Sequence, residues 1–584
     1  MKHSIFFQAI SKVSLKKSLT CQHRVHMISV AFANIFTDAA RRVDSASGGF
    51  SSQVPPLSAI PAVVLHLMGF KFMIMVKIDQ ASLIKGLVQH NFFPAQKKEE
   101  GEMPPIINSV TFSPDVADIF RNLNSRKGGY DQVEYRSTRF NNVSRPLSIP
   151  HPVPYSKLCF AIHDNWQEFE YITHSDNSLI TPETHSDGRI LVMDYENSQD
   201  KIERHVDLSF SKKFYVYTDI SNFFPSIYSH SIPWALVGFN VAKKQRDPKL
   251  WFNQVDKCIR AMKRDETNGI AIGPATSNVI SEAILVRIDT ILESEGFSFV
   301  RFIDDYTAYF DTYEQAEKFI RRLGEELSKY KLLLNAKKTV IEQLPCPSSP
   351  EWVVDLTTRI PNKEKIVVSN LIRFLDFAVM KQAISPDGSV LKYAAKTIVR
   401  DVDEKTADLI LKYLLGLCIK YPILIPVLNT LFKKVNLANG FVYTPQLIKV
   451  LGEHTLNKRS DAMAWTLYYL NKFSQPIPID TAKAVIESGD CVSILMLYLS
   501  GQNDNEVIQF CDGLDKTDIF LLDQNWLLLY QLFFDGKIAN PYTNVNAYVD
   551  LLESKADTTQ NAMQREVLAF EILKANGVNF VHTF

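Results

Sequence analysis

The chain has 584 residues, and 64 Lys and Arg residues balance 64 Asp and Glu residues, so its formal net charge is zero. Hydrophobic residues make up 46% and charged residues 22%, a composition that is typical of globular proteins and excludes general disorder. The length predicts roughly two to four domains, and the neutral balance excludes a protein whose whole surface binds nucleic acid, while leaving room for one basic channel.

The seven cysteines are scattered, and no two of them form a C-x-x-C pair. This spacing indicates neither a disulfide framework nor a zinc site. We expect buried free thiols in a reducing cytoplasm.

Residues 1–74 differ from the rest of the chain. The apolar stretch 59–76 is interrupted by a proline, a histidine and a lysine, which argues against a membrane span, and the pattern of a secretory signal is weak. We expect a poorly structured or dispensable leader, with the functional chain beginning near Met73.

Residues 75–350 mix short β-rich runs with helical patterns, which predicts an α+β fold. Aromatic and β-branched residues at 214–218, 299–302 and 306–310 predict strands. The spacing of apolar residues over 312–327 predicts an amphipathic helix.

Residues 351–584 carry Leu-rich helical patterns, and strand signals nearly vanish after Ser385. Helices are predicted over 407–418, 462–470, 492–499 and 526–534. Helix pairs that recur at roughly 35–45 residues are typical of a HEAT-like α-solenoid, so we expect an all-α helical-repeat domain here.

Three carboxylates stand at predicted strand ends in the middle of the chain. Asp219 ends the first predicted strand, and the adjacent Asp304 and Asp305 lie between the next two. Such a cluster needs compensation, and Mg²⁺ takes hard oxygen ligands and shares them with phosphates. Two ions about 4 Å apart can promote in-line displacement at a phosphoryl group. Each aspartate taken alone is also a common turn residue.

The sequences around these aspartates resemble the motifs of reverse transcriptases over roughly residues 125–345. The similar segments, in chain order, are Arg-Pro-Leu-Ser-Ile-Pro at 145–150, Asp-Ile-Ser-Asn-Phe-Phe-Pro-Ser-Ile at 219–227, Gly-Ile-Ala-Ile-Gly-Pro-Ala-Thr-Ser at 269–277, Phe-Ile-Asp-Asp at 302–305 and Leu-Asn-Ala-Lys-Lys-Thr at 334–339. The resemblance implies fingers and a palm with an antiparallel sheet. Because no convincing thumb sequence follows the last of these segments, we expect the helical domain to replace the thumb.

A narrower similarity extends through 227–234, Gly238, Lys243 with Lys244, and 265–269. These segments resemble the abortive-infection (Abi) reverse transcriptases of bacterial phage defence, the AbiK/AbiA-like group, in its prophage-borne branch. The resemblance implies template-independent DNA synthesis primed on the protein itself. It also implies dNTP substrates, a single-stranded DNA product attached covalently, a homo-oligomer (trimer or hexamer), a phage-derived trigger and a bacterial cytoplasmic location without a membrane.

The resemblance also implies residue roles. Asp219, Asp304, Asp305 and the backbone carbonyl of Ile220 are expected to hold two Mg²⁺ ions, with Mn²⁺ as an alternative. Lys338 is expected to protonate or neutralise the leaving pyrophosphate; an exposed lysine at a solvated helix end is the alternative.

Nucleotide binding is expected at Phe224, Gly273 and Ser277. Phe224 matches the aromatic ring that lies beneath the sugar and selects deoxynucleotides, although a core Phe is the alternative. Gly273 would allow close approach to the base pair or nucleotide, and Ser277 would contact the template-side groove.

Arg136, Arg139 and Arg145 are expected to clamp the triphosphate, because guanidinium groups bind phosphate oxygens bidentately. A solvated basic loop is the alternative. For priming, a phenol is a suitable nucleophile. Tyr130, which follows two glycines that could give it mobility, is our first choice and Tyr135 the second, against the alternative of packed core tyrosines.

One departure from the family pattern concerns templating. Reverse transcriptases usually place Gln before the glycine that Gly273 matches, and here that residue is Ile272, which agrees with template-independent synthesis. A conventional RNA-templated reverse transcriptase (retron-like or mobile-element-like) and a catalytically idle polymerase-fold scaffold stay open as alternatives.

Overall fold

The computed structural model describes residues 78–94, 101–123, 126–192, 198–362, 367–386, 389–438, 440–544 and 568–582. The predicted leader, residues 1–74, lies outside the described residues. Contacts divide the chain into Met1–Met75 and Val76–Phe584, and the second range forms one compact unit. The α+β part and the helical part, which we expected to divide near residue 350, therefore pack together.

A two-stranded antiparallel hairpin forms the fingers. Strand β1 (Gln132–Thr138) pairs with β2 (Ser144–Pro150), with Gln132 opposite Pro150 and Thr138 opposite Ser144. The inward positions of β1, Val133 and Tyr135, are fully buried, as the period of two along a strand requires. The other helices of this N-terminal region are Gln80–Lys85 with its π-helical continuation Gly86–His90, Pro114–Arg121, Pro152–His163 and Trp166–Phe169.

The palm is a four-stranded antiparallel sheet in the order β4-β5-β3-β6. Its strands are β3 (Phe214–Asp219), β4 (Phe299–Phe302), β5 (Asp305–Phe310) and β6 (Val340–Gln343). The three strands predicted from the sequence are confirmed to within one residue at each end. β6 was not predicted from the sequence. It has only four residues, two of which, Glu342 and Gln343, are polar, and only Ile341 is half-buried.

Helix Tyr313–Lys329 packs against β3 and β5 and confirms the amphipathic helix predicted over 312–327. It begins at a capping box, in which the Thr312 side chain accepts from the Gln315 backbone and the Gln315 side chain accepts from the Thr312 backbone. Phe319 and Leu323 on its inner face are fully buried. The long helix Ala275–Ser294 packs beside it. The remaining palm helices are Ser198–Ser209, Phe223–Ser226, Ser231–Val237, Phe239–Lys244 and Trp251–Ala261.

The C-terminal part is helical, as predicted. Its helices are Glu351–Thr357, Val368–Ile384, Val390–Val399, Glu404–Cys418, Leu428–Phe432, Thr444–Leu456, Ser460–Lys472, Ile479–Glu487, Cys491–Tyr498, Asp504–Gly513, Ile519–Gln524 and Trp526–Phe534. All four helices predicted at residue level are present.

Six of the C-terminal helices lie in two rows. Thr444–Leu456, Ile479–Glu487 and Asp504–Gly513 contact one another in succession, and so do Ser460–Lys472, Cys491–Tyr498 and Trp526–Phe534. The second row packs against β1 of the fingers hairpin. The arrangement is a stacked array of helices.

The prediction of buried free thiols is confirmed for five of the six described cysteines. Cys159, Cys258, Cys418, Cys491 and Cys511 are free and buried, and Cys346 is free and half-buried. Across the described ranges, no helix is long and apolar enough to cross a membrane.

Candidate active site

The palm sheet brings the three predicted carboxylates together. Asp219, the last residue of β3, lies directly opposite Asp305, the first residue of β5. Phe302 pairs with Asp305 across the β4–β5 hairpin, so Ile303 and Asp304 form its turn. Register alone therefore places an acidic cluster at one end of the sheet, where the strands β3 and β5 meet.

The carboxylates of the cluster repel one another. Burial, together with the negative charges of Asp305 and Asp219, raises the pKa of Asp304 to about 6, and the positive charge of Arg145 acts in the opposite direction. Burial, with the charge of Asp219, also raises the pKa of Asp305. Asp219 is 4% exposed, and its Oδ1 is buried without a hydrogen-bond partner.

Lys338 lies at this cluster, where the sequence predicted it. Its Nζ donates to Asp219 Oδ2 at 2.5 Å, and this bond, with the neighbouring carboxylates, raises the pKa of the lysine. The ammonium group therefore stays charged beside Asp219. The side chain is 58% exposed, so solvent screens the pair.

The loop that carries Lys338 is held against the end of β3 by backbone hydrogen bonds. Ser221 N–H donates to the Leu333 carbonyl at 2.8 Å, and Asn335 N–H donates to the Asp219 carbonyl at 2.9 Å. These bonds flank an antiparallel bridge between Ile220 and Leu334. In this pattern the carbonyl of Ile220 is turned away from its bridge partner.

Tyr217 is a site residue that sequence reasoning missed. Its hydroxyl donates to Asp305 Oδ1 at 2.7 Å, and burial, with the charge of Asp305, raises the pKa of the phenol. Tyr217 stands two residues before Asp219 on β3, so the period of two along a strand places both on the same face. That periodicity was the available signal, but it needed the β3–β5 register to identify Asp305 as the partner.

The donor chemistry of the cluster fits a divalent cation. Carboxylate oxygens are the ligands that Mg²⁺ prefers, and the unpaired Oδ1 of Asp219 is an oxygen that such an ion would satisfy. As the side chains stand, no group of three His, Cys, Asp or Glu residues within the described ranges forms a ready-made metal centre. Lys338 and Tyr217 instead bind oxygens of Asp219 and Asp305.

The residues expected to contact the nucleotide are packed in the palm. Phe224 is 6% exposed, and its ring centroid lies 5.2 Å from that of Phe223. Ser277 is also buried, in the first turn of helix Ala275–Ser294. Their roles in nucleotide binding stay predictions.

Gly273 is required by its surroundings. Its φ of +132° is a conformation that L side chains rarely adopt, and an added Cβ would lie 2.7 Å from Pro94 Cγ. The close neighbour of this glycine is therefore Pro94 in this structure. The adjacent Ile272 carbonyl accepts from the Ser148 N–H at 2.8 Å, which ties this loop to β2.

The three fingers arginines lie beside acidic groups of the fingers and of the palm. Arg136 pairs with Glu134 at 2.6 Å, and Arg139 lies 3.6 Å from Glu102. Arg145, opposite Ser137 in the hairpin, is the one whose charge acts on Asp304. The role of these arginines in binding a triphosphate stays a prediction.

Arg136 lines a different part of the molecule. It borders a cavity of about 430 Å³ between the fingers hairpin and the C-terminal helices. Lys458, Asp490 and Gln524 also line this cavity.

The two tyrosines proposed for priming are core residues. Tyr130 is 1% exposed, its ring stacks on His151 at 4.9 Å, and the Arg126 guanidinium lies 4.1 Å above it. Tyr135 is fully buried and donates to the Glu102 carbonyl at 2.9 Å. Both rings are therefore held in the core by local contacts, and their role in priming stays a prediction.

The expectation that two glycines make Tyr130 mobile is corrected by the local geometry. Gly128 and Gly129 have φ of +80° and +71°, and a Cβ on Gly129 would lie 2.7 Å from the Asp265 backbone nitrogen. The glycines thus form a tight turn against a neighbouring segment, and the tyrosine that follows is fixed by packing.

Comparison with known proteins agrees with this site. Residues 156–373 match the family described as reverse transcriptase (RNA-dependent DNA polymerase). The matched range contains Asp219, Asp304, Asp305 and Lys338, whereas the fingers arginines lie before it. The match indicates a reverse transcriptase-like nucleotidyltransferase.

Among solved structures, the chain is similar to three telomerase structures. Apo telomerase from Candida tropicalis truncated from its C-terminal domain has a TM-score of 0.26 and 10% identity, over 40% of this chain and 55% of that one. Apo telomerase from Candida tropicalis has a TM-score of 0.27 and 10% identity, over 66% of this chain and 68% of that one. Telomerase from Candida albicans in complex with a TWJ fragment of telomeric RNA has a TM-score of 0.24 and 11% identity, over 68% of this chain and 66% of that one. No curated protein sequence matches the chain.

Proposed function

We propose that this chain polymerises deoxynucleoside triphosphates at the acidic cluster of the palm sheet. The observation that carries the proposal is the register that sets Asp219 opposite Asp305, with Asp304 in the adjoining turn. These residues lie within the range that matches the reverse transcriptase family.

Different side chains of the site have different roles in nucleotidyl transfer. Asp219, Asp304 and Asp305, with the Ile220 carbonyl, would hold two Mg²⁺ or Mn²⁺ ions. When bound, such ions supply charge stabilisation and activation of the attacking hydroxyl. Lys338 neutralises or protonates the leaving pyrophosphate.

The nucleotide is held by residues of the fingers and the palm. Arg145 attracts the triphosphate toward the cluster, because a guanidinium group suits phosphate oxygens. Phe224 limits the space beneath the sugar, and Ser277 borders the template side. Gly273 lets its loop pack closely against Pro94.

The proposal extends to template-independent synthesis with the product attached to the protein. Its support is the similarity to the Abi reverse transcriptases of phage defence, and the absence of a side-chain amide at Ile272, where templated enzymes usually have Gln. The overall charge of zero is consistent with an enzyme that anchors its product covalently and does not grip a long duplex.

The same similarity supports an abortive-infection role in bacteria, a homo-oligomeric state (trimer or hexamer), a phage-derived trigger and a cytoplasmic location. It also supports a stacked helical domain that stands in place of a thumb. Because Tyr130 and Tyr135 are buried, the proposal does not assign the priming hydroxyl to either of them.

RNA-templated synthesis is the second candidate function. The family that residues 156–373 match is described as an RNA-dependent DNA polymerase, and this description favours copying of an RNA template.

A polymerase assay on the purified full-length chain tests these proposals. The protein is incubated with dNTPs and Mg²⁺, with and without an RNA template and DNA primer, and the products are resolved by denaturing electrophoresis. Template-independent synthesis predicts a nuclease-sensitive protein adduct without added nucleic acid. Templated synthesis predicts product only when template and primer are present.

Asp304→Asn is the test variant, since it removes one ligand charge without changing side-chain size. Asp311→Asn is the matched control, because Asp311 follows the same hairpin and pairs with Lys212 on the exposed surface. We expect Asp304→Asn to abolish product and Asp311→Asn to retain it. Product that persists in Asp304→Asn, or no product in any arm with wild-type protein, contradicts the proposed function.

A further inference from the structure

A buried guanidinium group underlies the turn that carries Asp304. Arg301, on β4, is fully buried. Its Nη1 and Nη2 donate to the two carboxylate oxygens of Glu282 at 2.8 and 2.9 Å, and its Nε donates to Asp289 Oδ2 at 2.8 Å. Both acids stand on helix Ala275–Ser294 and are at most 2% exposed.

The acids are themselves held from the far side. Ser178 Oγ donates to Glu282 Oε2 at 3.0 Å, and the Tyr306 hydroxyl donates to Asp289 Oδ1 at 2.9 Å. Arg301 is therefore anchored to the long palm helix by groups that have little freedom to move, because each side chain already has its hydrogen-bond partners.

The same guanidinium also reaches the hairpin turn. Arg301 Nη1 donates to the backbone carbonyl of Ile303 at 2.8 Å. This carbonyl belongs to the peptide that links Ile303 to Asp304, so the hydrogen bond fixes the direction in which the chain enters Asp304.

The turn needs such support. Ile303 has a φ of +57°, and positive φ at the first position of a two-residue hairpin turn favours glycine. A β-branched residue in this conformation is an outlier, and backbone strain of this kind persists only when the surrounding structure determines it. The hydrogen bond from Arg301 is one contact that does so.

The chemistry of the bridge is specific to arginine. One planar group binds a carboxylate through two parallel bonds, a second carboxylate through Nε and a carbonyl through its remaining Nη1 proton. A lysine supplies a similar charge from a single nitrogen, and it cannot hold three acceptors in this planar arrangement.

We propose that Arg301 is a positioning residue for Asp304, and that it acts with Glu282 and Asp289 to couple the long palm helix to the catalytic turn. The inference rests on the proposed polymerase function of the same site. In this proposal the three buried side chains have two roles. They pack the long helix against the sheet, and they orient the carboxylate of Asp304.

The test compares Arg301→Lys with Arg322→Lys in the assay that gives product with wild-type protein. Arg322 supplies the matched control, since it binds Glu295 and Glu326 in another ion-pair cluster of the palm, on helix Tyr313–Lys329. We expect Arg301→Lys to lower kcat by about 10–100-fold, the usual effect of removing support from a metal ligand. The KM for dNTP should stay unchanged, because the fingers contacts are intact, and Arg322→Lys should retain the wild-type kcat.

A triple variant separates positioning from folding. Arg301→Met combined with Glu282→Gln and Asp289→Asn removes all three charges, so no buried ion is left unpaired, but the donor to Ile303 is lost. We expect this variant to keep a cooperative urea transition and to show the reduced kcat, with activity normalised to the folded fraction.

The outcomes separate the two hypotheses. Wild-type protein that incorporates no dNTP overturns the proposed function, whatever the variants do. Active wild-type protein with an undiminished kcat in the folded Arg301→Lys or triple variant overturns the positioning role. An equal loss of kcat in Arg322→Lys overturns it as well, since the effect would then be general to the palm.

Discussion

Thr138 joins the fingers hairpin to the C-terminal helices through one buried carboxylate. Its backbone N–H and its hydroxyl donate to Asp461 at 2.7 and 2.9 Å, and the Ala462 N–H adds a third hydrogen bond at 2.8 Å. Thr138 is 4% and Asp461 8% exposed. We therefore expect this joint to contribute measurably to the stability of the folded chain.

Thr138→Val tests the joint with a small perturbation. Valine keeps the shape of threonine and the backbone donor, and removes only the hydroxyl. A hydrogen bond to an ionised group contributes about 1.5–3 kcal/mol, so the free energy of unfolding should fall by about that amount at about pH 8.

The effect should depend on pH. Burial raises the pKa of Asp461 to about 6 in the folded chain, from an ordinary value of 3.8. Because the folded pKa is raised, the stability that this group contributes is fully present below the ordinary value and is lost as the pH rises through about 6. The Thr138 hydroxyl forms a stronger hydrogen bond with the ionised carboxylate than with the neutral carboxyl group. Thr138→Val should therefore destabilise the chain more at about pH 8 than at about pH 5.

Urea denaturation followed by tryptophan fluorescence at both pH values measures the difference. Thr455→Val is the matched control, since the buried Thr455 hydroxyl donates to the neutral Leu451 carbonyl at 2.8 Å. Its effect should not change with pH. An equal loss of stability in Thr138→Val at both pH values, or no loss, would refute the assignment of Asp461 as an ionised acceptor at this joint.

Three further substitutions test the site and its support. Lys338→Met, which removes the ammonium group from Asp219, should lower kcat for dNTP incorporation on the order of 10²-fold if this lysine acts on the leaving group; an unchanged kcat would restrict it to the ion pair. Tyr217→Phe removes the donor to Asp305 and should raise the Mg²⁺ concentration needed for half-maximal activity by about 10-fold or more, whereas an unshifted titration would make the hydroxyl dispensable. Trp526→Ala should lower the free energy of unfolding by about 3–5 kcal/mol, as measured by urea denaturation with circular dichroism, and Trp526→Phe should lose less; equal losses would argue against packing as the cause.

The sequence determined the elements and the acids of the site, because both are written in local patterns. The strand at β3, the helix that begins after Thr312 and the helix Trp526–Phe534 follow from residues within one turn or one strand of each other. Asp219, Asp304 and Asp305 were identified from the neighbouring strand patterns together with the reverse transcriptase-like segments that contain them.

Tertiary structure decided which side chains meet. Tyr217 became a partner of Asp305 only through the β3–β5 register, and the hydrogen bond from Arg301 to Ile303 depends on the turn conformation. The mobility expected for Tyr130 was wrong, because the segment against which Gly129 packs is not local to it.

The contacts that hold the fingers hairpin against the C-terminal helices could not be predicted from local sequence patterns. Arg126 pairs with Asp523 across 397 residues, and Thr138 binds Asp461 across 323 residues. A short sequence pattern identifies a residue type and its secondary structure, but the burial and the partner of a charged side chain depend on the packing of elements hundreds of residues apart. For that reason the sequence indicated the chemistry of this protein, whereas the folded chain decided how its catalytic turn and its fingers are held.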